Sequence, residues 1–373
     1  MKTGLTIVCG FFMLLSTAAA QTLGEFAPKE QRGTYGPRKF PSKDVYIAGF
    51  SVNFQLYNLK TTSTKGGFAG KMLTGDTKAS LAVGLDIPAA TLQQITDDAY
   101  QQFVADLKAK GFNVIGADAA ATTKYFEGYQ RFDNMEMSLS EAPGMVTVYP
   151  SNTTFFVKGF SKNGQKKRQG MFSFIGLADR ADEVASYPKL SQELNDAIIV
   201  NADLFVLFLD IKKPYQGDGA RLIANTDLRL SSYGTVDSRV ATNTNSKSLT
   251  NKIGLTSPGS KEVSVGTTSA IDFVAGRNKI GGSPFGTYTG VLKKDLQING
   301  VIGQEKIQAF AKTDQDYIGT ETAFGKMYRA DNIAVENTAL IKADPAMYAG
   351  GVSQAINAFL KHHVNAFQTK FFK

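Results

Sequence analysis

The run Ala202-Asp203-Leu204-Phe205-Val206-Leu207-Phe208-Leu209-Asp210 constrains the fold more than any other part of this sequence. A strand with one wet face alternates apolar and polar residues. An unbroken apolar run bounded by Asp has no wet face, so it reads as a central strand covered on both sides. The rest of the chain must supply the layers that cover it. Just upstream, Leu190, Leu194, Ala197 and Ile198 share one side of a helix expected from Tyr187-Pro188 to Val200.

The same logic finds a strand–helix–strand unit nearer the start. Asp44–Gln55 reads as a first strand, with Val45, Ile47, Phe50, Val52 and Phe54 in mixed alternation and Gly49 at a bulge. A Gly, Lys, Thr and Ser-rich stretch from Lys60 to Lys78 follows, as a loop or wide hairpin tip, and then a short strand from Ala79 to Leu85. Leu92, Ile95, Ala99, Phe103, Val104 and Leu107 carry the i, i+3, i+4, i+7 spacing of an amphipathic helix. Pro88 suits its first turn, Gly111 its end, and Lys108 and Lys110 the negative end of its dipole. Phe112–Ile115 reads as a short strand. At the other end of the chain, Asp344 is an N-cap and Pro345 an N1 residue for a last helix, with Val352, Ile356, Phe359 and Leu360 on its apolar side. Between Leu222 and Ile302 the chain reads as strands and long loops.

Residues 1–20 have the form of a secretory leader: Lys2, an apolar run from Leu5 to Leu15, and Ala18-Ala19-Ala20 before Gln21. The run is too short to span a bilayer, which needs about 20 apolar residues. Cys9, the single cysteine, lies inside it. A chain cut after Ala20 would have no disulfide, thiol nucleophile or thiolate ligand. Residues 21–44, rich in Gly, Pro and basic side chains, read as an extended N-terminal arm that orders only where it docks. Residues 45–373 read as the folded domain. The net charge is +8, and losing the leader removes only Lys2. For an exported protein this points to anionic envelope surfaces rather than nucleic acid.

A β-hairpin is expected from Thr153–Phe160 and Gly170–Leu177 around Asn163-Gly164, a strong tight-turn dipeptide. Lys158, Lys162, Lys166, Lys167 and Arg168 lie on and around its tip with no acid between them. They are the candidate contact for an anionic surface or partner, or a solvated tip whose lysines block edge pairing.

Most catalytic constellations are missing. Histidine occurs only as the adjacent pair His362 and His363, which point about 100° apart on a helix and cannot share a metal. They read as the polar side of the last helix or a surface pH-sensitive pair. Neither a Ser-His-Asp triad nor a His-rich zinc site is expected. Gly217-Asp218-Gly219 lacks the third glycine of a dinucleotide fingerprint, and Gly276–Ser283 lacks the lysine of a phosphate loop. Asp314-Gln315-Asp316 starts like a calcium loop but ends without its bidentate Glu. Carboxylate pairs such as Asp97/Asp98 and Asp182/Glu183 would suit acid–base hydrolysis only if a cleft held two of them about 5–10 Å apart.

The strand 44–55, the helix closing in Leu107-Lys108-Ala109-Lys110-Gly111, the strand Phe112–Ile115 and the strand beginning Ala202-Asp203-Leu204-Phe205-Val206 resemble a periplasmic α/β module. It is that of the curli-secretion channel family and the TolB N-terminal domain. The chain is also similar to secreted proteins of Gram-negative bacteria. The resemblance implies an envelope location and an α/β fold, a mixed sheet with packed helices plus β-rich insertions, and carries over no functional residue. Against an outer-membrane pore, the chain lacks the lipidated cysteine of the curli channel and has a long insertion after its first strand. The expectation is an exported, non-enzymatic protein without cofactor or metal that binds or assembles with envelope proteins or anionic envelope surfaces, as a homo-oligomer if it self-associates. A subunit of an outer-membrane secretion channel and a hydrolase using only Asp and Glu are the alternatives.

Overall fold

The structure, a computed structural model, describes residues 21–31, 33–36, 40–64, 68–69, 72–73, 77–134, 138–139, 144–157, 177–214, 221–241, 260–310 and 337–372. In chain order, the first strands are Thr22–Leu23 (β1), Pro28–Glu30 (β2), Asp44–Gln55 (β3), Tyr57–Thr64 (β4), Phe68–Ala69 (β5), Met72–Leu73 (β6) and Thr77–Asp86 (β7). Helix α1 (Ala89–Ala109), strand β8 (Asn113–Val114), helix α2 (Ala117–Ala121), a 3-10 turn at Lys124–Phe126, and strands Gln130–Asp133 (β9), Ser138–Leu139 (β10), Met145–Val148 (β11) and Thr154–Val157 (β12) follow. Then come α3 (Leu177–Glu193), β13 (Ile198–Lys212), β14 (Arg221–Leu230), β15 (Thr235–Ala241), β16 (Ser260–Gly266) and β17 (Ala270–Arg277). The chain continues with β18 (Pro284–Leu292), β19 (Leu296–Asn299), β20 (Lys306–Phe310), β21 (Asn337–Lys342) and α4 (Pro345–Phe371).

The apolar run is the axis of the main sheet. β13 pairs in parallel with β3 along one edge, from Ile198↔Val45 to Val206↔Phe54. Its other edge meets β17 over Ile199–Asp203 and β14 over Val206–Lys212, both antiparallel. At the junction Phe205 N–H donates to Ser269 Oγ (3.0 Å) and its carbonyl accepts from Ser231 N–H (2.8 Å). The gap between β14 and β17 therefore leaves no orphan backbone group there.

Between Ile198 and Phe208 the side chains alternate between the two faces, and after the register shift Leu209 and Ile211 also join the main core. Ile198, Val200, Ala202, Leu204, Val206 and Phe208 face the large core shared with α1 and α4. Ile199 faces a second cluster under α3, and Phe205 and Leu207 a third with Met145, Val236 and Val265. Each large apolar side chain so buried contributes about 1.5–3 kcal/mol relative to exposure. β3 matches this parity only because it carries an extra residue. Ile47 opposes Val200 but Gly49 opposes Asn201, so Ala48 is bulged. Before the bulge Val45 and Ile47 face the main core; after it Phe50, Val52 and Phe54 do. Position 49 must be Gly, because a Cβ there would lie 2.2 Å from Asn201 Oδ1.

α1 buries Leu92, Ile95, Ala99, Phe103 and Leu107 as its spacing required. With β3 and β8, which pair in parallel at Asp44↔Asn113, it completes the expected strand–helix–strand unit. α4 begins as expected, with the Asp344 side chain accepting from Met347 N–H (2.8 Å) and Pro345 following. Its buried face runs Tyr348, Val352, Ala355, Ile356, Phe359, Leu360, His363, Val364, Phe367. Phe367 stacks on Phe273 at 4.2 Å.

Three expectations are corrected. The fold class is not the expected α/β, a mixed sheet with packed helices plus β-rich insertions: extended backbone exceeds helix, and apart from β3–β13 and β3–β8 the pairs of the main sheet are antiparallel. A second sheet, β21-β7-β4, extends the strand content further. The reason lies in the stretches read as a loop or hairpin tip and as strands with long loops. Tyr57–Thr64 pairs residue by residue with Thr77–Gly84, and Thr235–Ala241 with Ser260–Gly266, using Thr, Ser and Val that favour extended backbone. Next, the helix expected to reach Val200 stops at Glu193. Asn195 and Asp196 adopt left-handed backbone (φ 56° and 59°), and the β-branched Ile198-Ile199-Val200 joins the sheet. Third, Leu177 opens α3 instead of ending a strand, while the rest of the expected Asn163-Gly164 hairpin, residues 158–176, lies outside the described residues. Thr154–Val157 pairs with Gln130–Asp133, a contact held by aromatic rings: Phe156 stacks on Phe126 at 4.3 Å, and Phe155 is buried beside Tyr149.

The expected N-terminal arm is paired where it is described, β1 on β19 and β2 on β18. Gln21 Nε2 donates to the Met347 carbonyl (2.6 Å).

His362 lies on the exposed side of α4, its ring edge-on to Phe26. His363, by contrast, is fully buried, with Nδ1 2.7 Å from the Tyr288 hydroxyl and the ring over Gly290, where a Cβ would lie 2.4 Å from it. Burial, chiefly, holds its pKa down at about 3. The folded state therefore keeps the ring neutral, while an unfolded chain protonates it near the usual ~6.5. Its contribution is complete above pH ~6.5 and is lost as pH falls from there towards 3. At pH 4.5 the loss is on the order of 3 kcal/mol, about two pH units below the ordinary value. Urea unfolding at pH 7 and pH 4.5 should show that drop for the native protein and a clearly smaller one for His363→Leu. An equal drop in both would contradict this assignment.

Candidate functional site

The face of the main sheet away from α1 and α4 has apolar ends and a polar middle. Tyr46, Ile199 and Val274 lie under α3 at one end. Phe205, Leu207 and Met145 lie under the roots of β15 and β16 at the other. Between them the registers line up Ser51 and Asn53 on β3, Thr147 on β11, Asn201 and Asp203 on β13, Asp272 on β17 and Thr289 on β18. The bulge at Ala48 is what turns Ser51 and Asn53 to this side.

The band is closely hydrogen-bonded. Asp203 Oδ1 accepts from Ser51 Oγ and from Asn53 Nδ2, both at 2.6 Å. Asn53 also donates to the Leu204 carbonyl (3.1 Å) and accepts from Thr147 Oγ1 (2.6 Å). Asp272, buried, accepts from Thr289 Oγ1 (2.6 Å). Gln55 Oε1 accepts from the backbone N–H groups of Phe208 and Leu209 (3.2 and 3.1 Å), where β13 shifts register against β14. Asp203 and Asp272 are diagonal neighbours on adjacent strands, roughly 7–8 Å apart. That is the separation a two-carboxylate hydrolase requires. The donors around them are hydroxyls and amides, and the band ties five strands together through these hydrogen bonds.

A second polar cluster anchors the β15–β16 hairpin. Arg229, with a side chain only 10% exposed, pairs with Asp227 and with Asp295 (Nε–Oδ2 3.1 Å) and donates to the Leu209 carbonyl. Asp295 Oδ1 accepts from Ser232 N–H (2.8 Å) and Oγ (2.6 Å). Desolvation raises the Asp227 pKa, against the pull of Arg229. The pairing joins the end of β14 to the β18–β19 turn, at the point where the hairpin leaves the sheet.

Lys158, Lys162, Lys166, Lys167 and Arg168, the contact residues expected from sequence, lie outside the described residues, as do Gly217-Asp218-Gly219 and Asp314–Asp316. Gly276–Ser283 spans the β17–β18 turn, and the chain returns as a strand, not as the helix a phosphate loop needs. Asp97 accepts from Ser151 N–H (2.6 Å) and Gln93 Nε2 (2.9 Å), which ties α1 to the segment after β11. Asp182 and Glu183 fall within α3. Among the described residues no group of three His, Cys, Asp or Glu is placed to hold a metal. Sequence reasoning missed the polar band because its members come from five strands; its one local sign was Asp203 interrupting an apolar run.

Compared with protein-family models, curated proteins and solved structures, the chain matches none.

Asp203→Ala leaves the Ser51 and Asn53 donors without their acceptor, which costs about 1–3 kcal/mol. Thermal or urea unfolding should show that loss. A stability unchanged from the native protein would mean that the band is not a structural fastening.

Proposed function

We propose that this is a non-enzymatic protein of the cell envelope that works by binding and assembling with other envelope components through two β-hairpin arms. One observation carries the reading: β4–β7 and β15–β16 both leave the main sheet at the same end. β4 continues from β3 beyond Gln55, and β15 leaves from Leu230, the residue opposite Val206. The Lys60–Lys78 stretch, read from sequence as a loop or hairpin tip, belongs to the first arm. Both roots are rigid. Gly144 takes the backbone N–H groups of Leu56 and Tyr57, and the second root is held by Arg229, Asp295 and Ser232. Among the described residues β15 and β16 pair with each other, from Thr235↔Gly266 to Ala241↔Ser260. A catalytic domain uses its rigid frame to converge reactive groups. Leu81, Val83 and Leu85 tie the base of β4–β7 into the main core and β21 pairs along β7, so the second hairpin, β15–β16, is the strand pair whose Thr, Ser and Lys-rich form suits contact with another chain.

The export of the chain and its envelope partners rest on the leader-like start and on the module resemblance. The channel alternative predicts a ring-sized species that needs detergent to stay in solution; helices do not contribute to such a pore here, since no described helix is long and apolar enough to cross a membrane.

The test uses the absence of cysteine outside Cys9. A photo-crosslinking label at Lys60→Cys in the first arm or at Tyr233→Cys, 75% exposed at the root of the second, should give a discrete higher-mass adduct in envelope fractions. The same label at Asp98→Cys, on the exposed face of α1, should not. Equal labelling at all three positions, or no adduct from either arm, would defeat the proposal.

A further inference from the structure

The opposite end of the sheet carries a different surface. β17 runs antiparallel to β13, so the β17–β18 turn lies at the end where β3 and β13 begin, away from both arms. The turn is firmly built. Asn278 N–H donates to the Ser283 carbonyl (2.9 Å), and its Nδ2 donates to Ser283 Oγ and to the Pro284 carbonyl (both 3.0 Å). Gly281 and Gly282 take positive φ (78° and 68°), which turns the chain back and leaves Ile280 at the apex. Ile280 is 92% exposed. Two more exposed apolar side chains stand beside it: Phe285 on β18, and Tyr35 of the N-terminal segment, which bridges to Thr287 and donates its hydroxyl to the Pro284 carbonyl (2.8 Å).

An apolar apex held out by a rigid turn is unusual on a soluble surface, and its setting says what covers it. Arg277 and Lys279 flank Ile280, are exposed, and form no ion pair among the described residues. Arg277 Nη1 reaches only Gln192 Oε1 (3.4 Å). Lys108 and Lys110 at the end of α1, and Lys43 before β3, lie at this same end of the sheet. The carboxylates at this end are Asp44, which accepts from Asn113 Nδ2 (2.8 Å), Asp196 beside Gly276, Asp106 in the last turn of α1, which accepts from Gln102 Nε2 (2.9 Å), and Glu193 at the end of α3, which accepts from Tyr125 N–H (2.8 Å). One aliphatic tip, two aromatic rings behind it and a collar of cations match the layers of an anionic bilayer: acyl chains, interfacial zone and charged headgroups. A groove on a protein would accept Ile280 but would not call for uncompensated cations on both sides.

We infer that the Arg277–Phe285 turn docks this protein on an anionic phospholipid surface, with Ile280 entering the acyl region and Arg277 and Lys279 at the headgroups. This rests on the reading of the protein as a contact protein but uses a surface at the far end from the arms, so either can fail without the other.

The chain contains no tryptophan, so Ile280→Trp gives a single reporter at the apex, where exposure leaves the fold undisturbed. With phosphatidylglycerol vesicles the emission should shift to the blue and be quenched by brominated acyl chains, and with phosphatidylcholine vesicles it should do neither. Adding Arg277→Glu and Lys279→Glu to that variant should weaken vesicle binding at least tenfold, and raised salt should weaken the native interaction. Emission unchanged by either vesicle would overturn the inference, as would binding indifferent to the two charge reversals. A blue shift that grows with protein concentration in the absence of lipid would also overturn it, by identifying a second copy of the chain as the occupant.

Discussion

The structure depends on one strand being covered on both sides. β13 has no wet face over most of its length, so from Ile198 to Phe208 its even-numbered residues demand one layer and its odd-numbered residues another. α1 and α4 supply the first. The second is shared between α3 and the roots of the β15–β16 hairpin. Every other element is placed by its relation to that strand: β3 beside it in parallel, and β17 and β14 sharing its opposite edge.

Sharing one edge between two strands has a structural consequence. The chain must leave the sheet after Leu230 and re-enter at Ala270, and the residues between them become an arm. β3 does something similar on its own far edge, where β8 pairs with its start and β11 with its end. Beyond Gln55 it has no further partner in the main sheet, and the chain turns at Leu56 into the other arm. The two arms are thus the outcome of strands that outrun their neighbours. Their roots are where buried polar groups concentrate: Arg229 with its two aspartates, Gln55 on the β13 amides, and Asp203 with Ser51 and Asn53. Polar groups left half-paired in such positions would be costly, so these contacts hold the register where the backbone ladder is interrupted.

Much of the central frame was legible. Asp44–Gln55, the bulge at Gly49, the α1 face and the Asp344–Pro345 start of α4 follow from local spacing and from the steric needs of single residues. The candidate site was not. Ser51, Asn53, Asp203, Asp272 and Thr289 look unremarkable one at a time, and they meet only through strand registers spanning more than two hundred residues. His363 shows the same limit: adjacent histidines on a helix were read as its polar side, but the buried arc of α4 reaches as far as the second of them.

The sequence by itself determined which segments must be covered and where helices begin, because hydrophobic periodicity and capping act within a few residues. It did not determine partners. Nothing local to Thr154–Val157 announces Gln130–Asp133 as its partner; the pair forms where Phe156 meets Phe126. Tyr57–Thr64 and Thr235–Ala241 are polar enough to pass for loop or strand, and they are strands because each has a complementary partner to close against. Strand pairing is decided by backbone hydrogen bonds and side-chain contacts between distant segments. The balance between helix and strand, and with it the fold class, was therefore settled only by the tertiary structure.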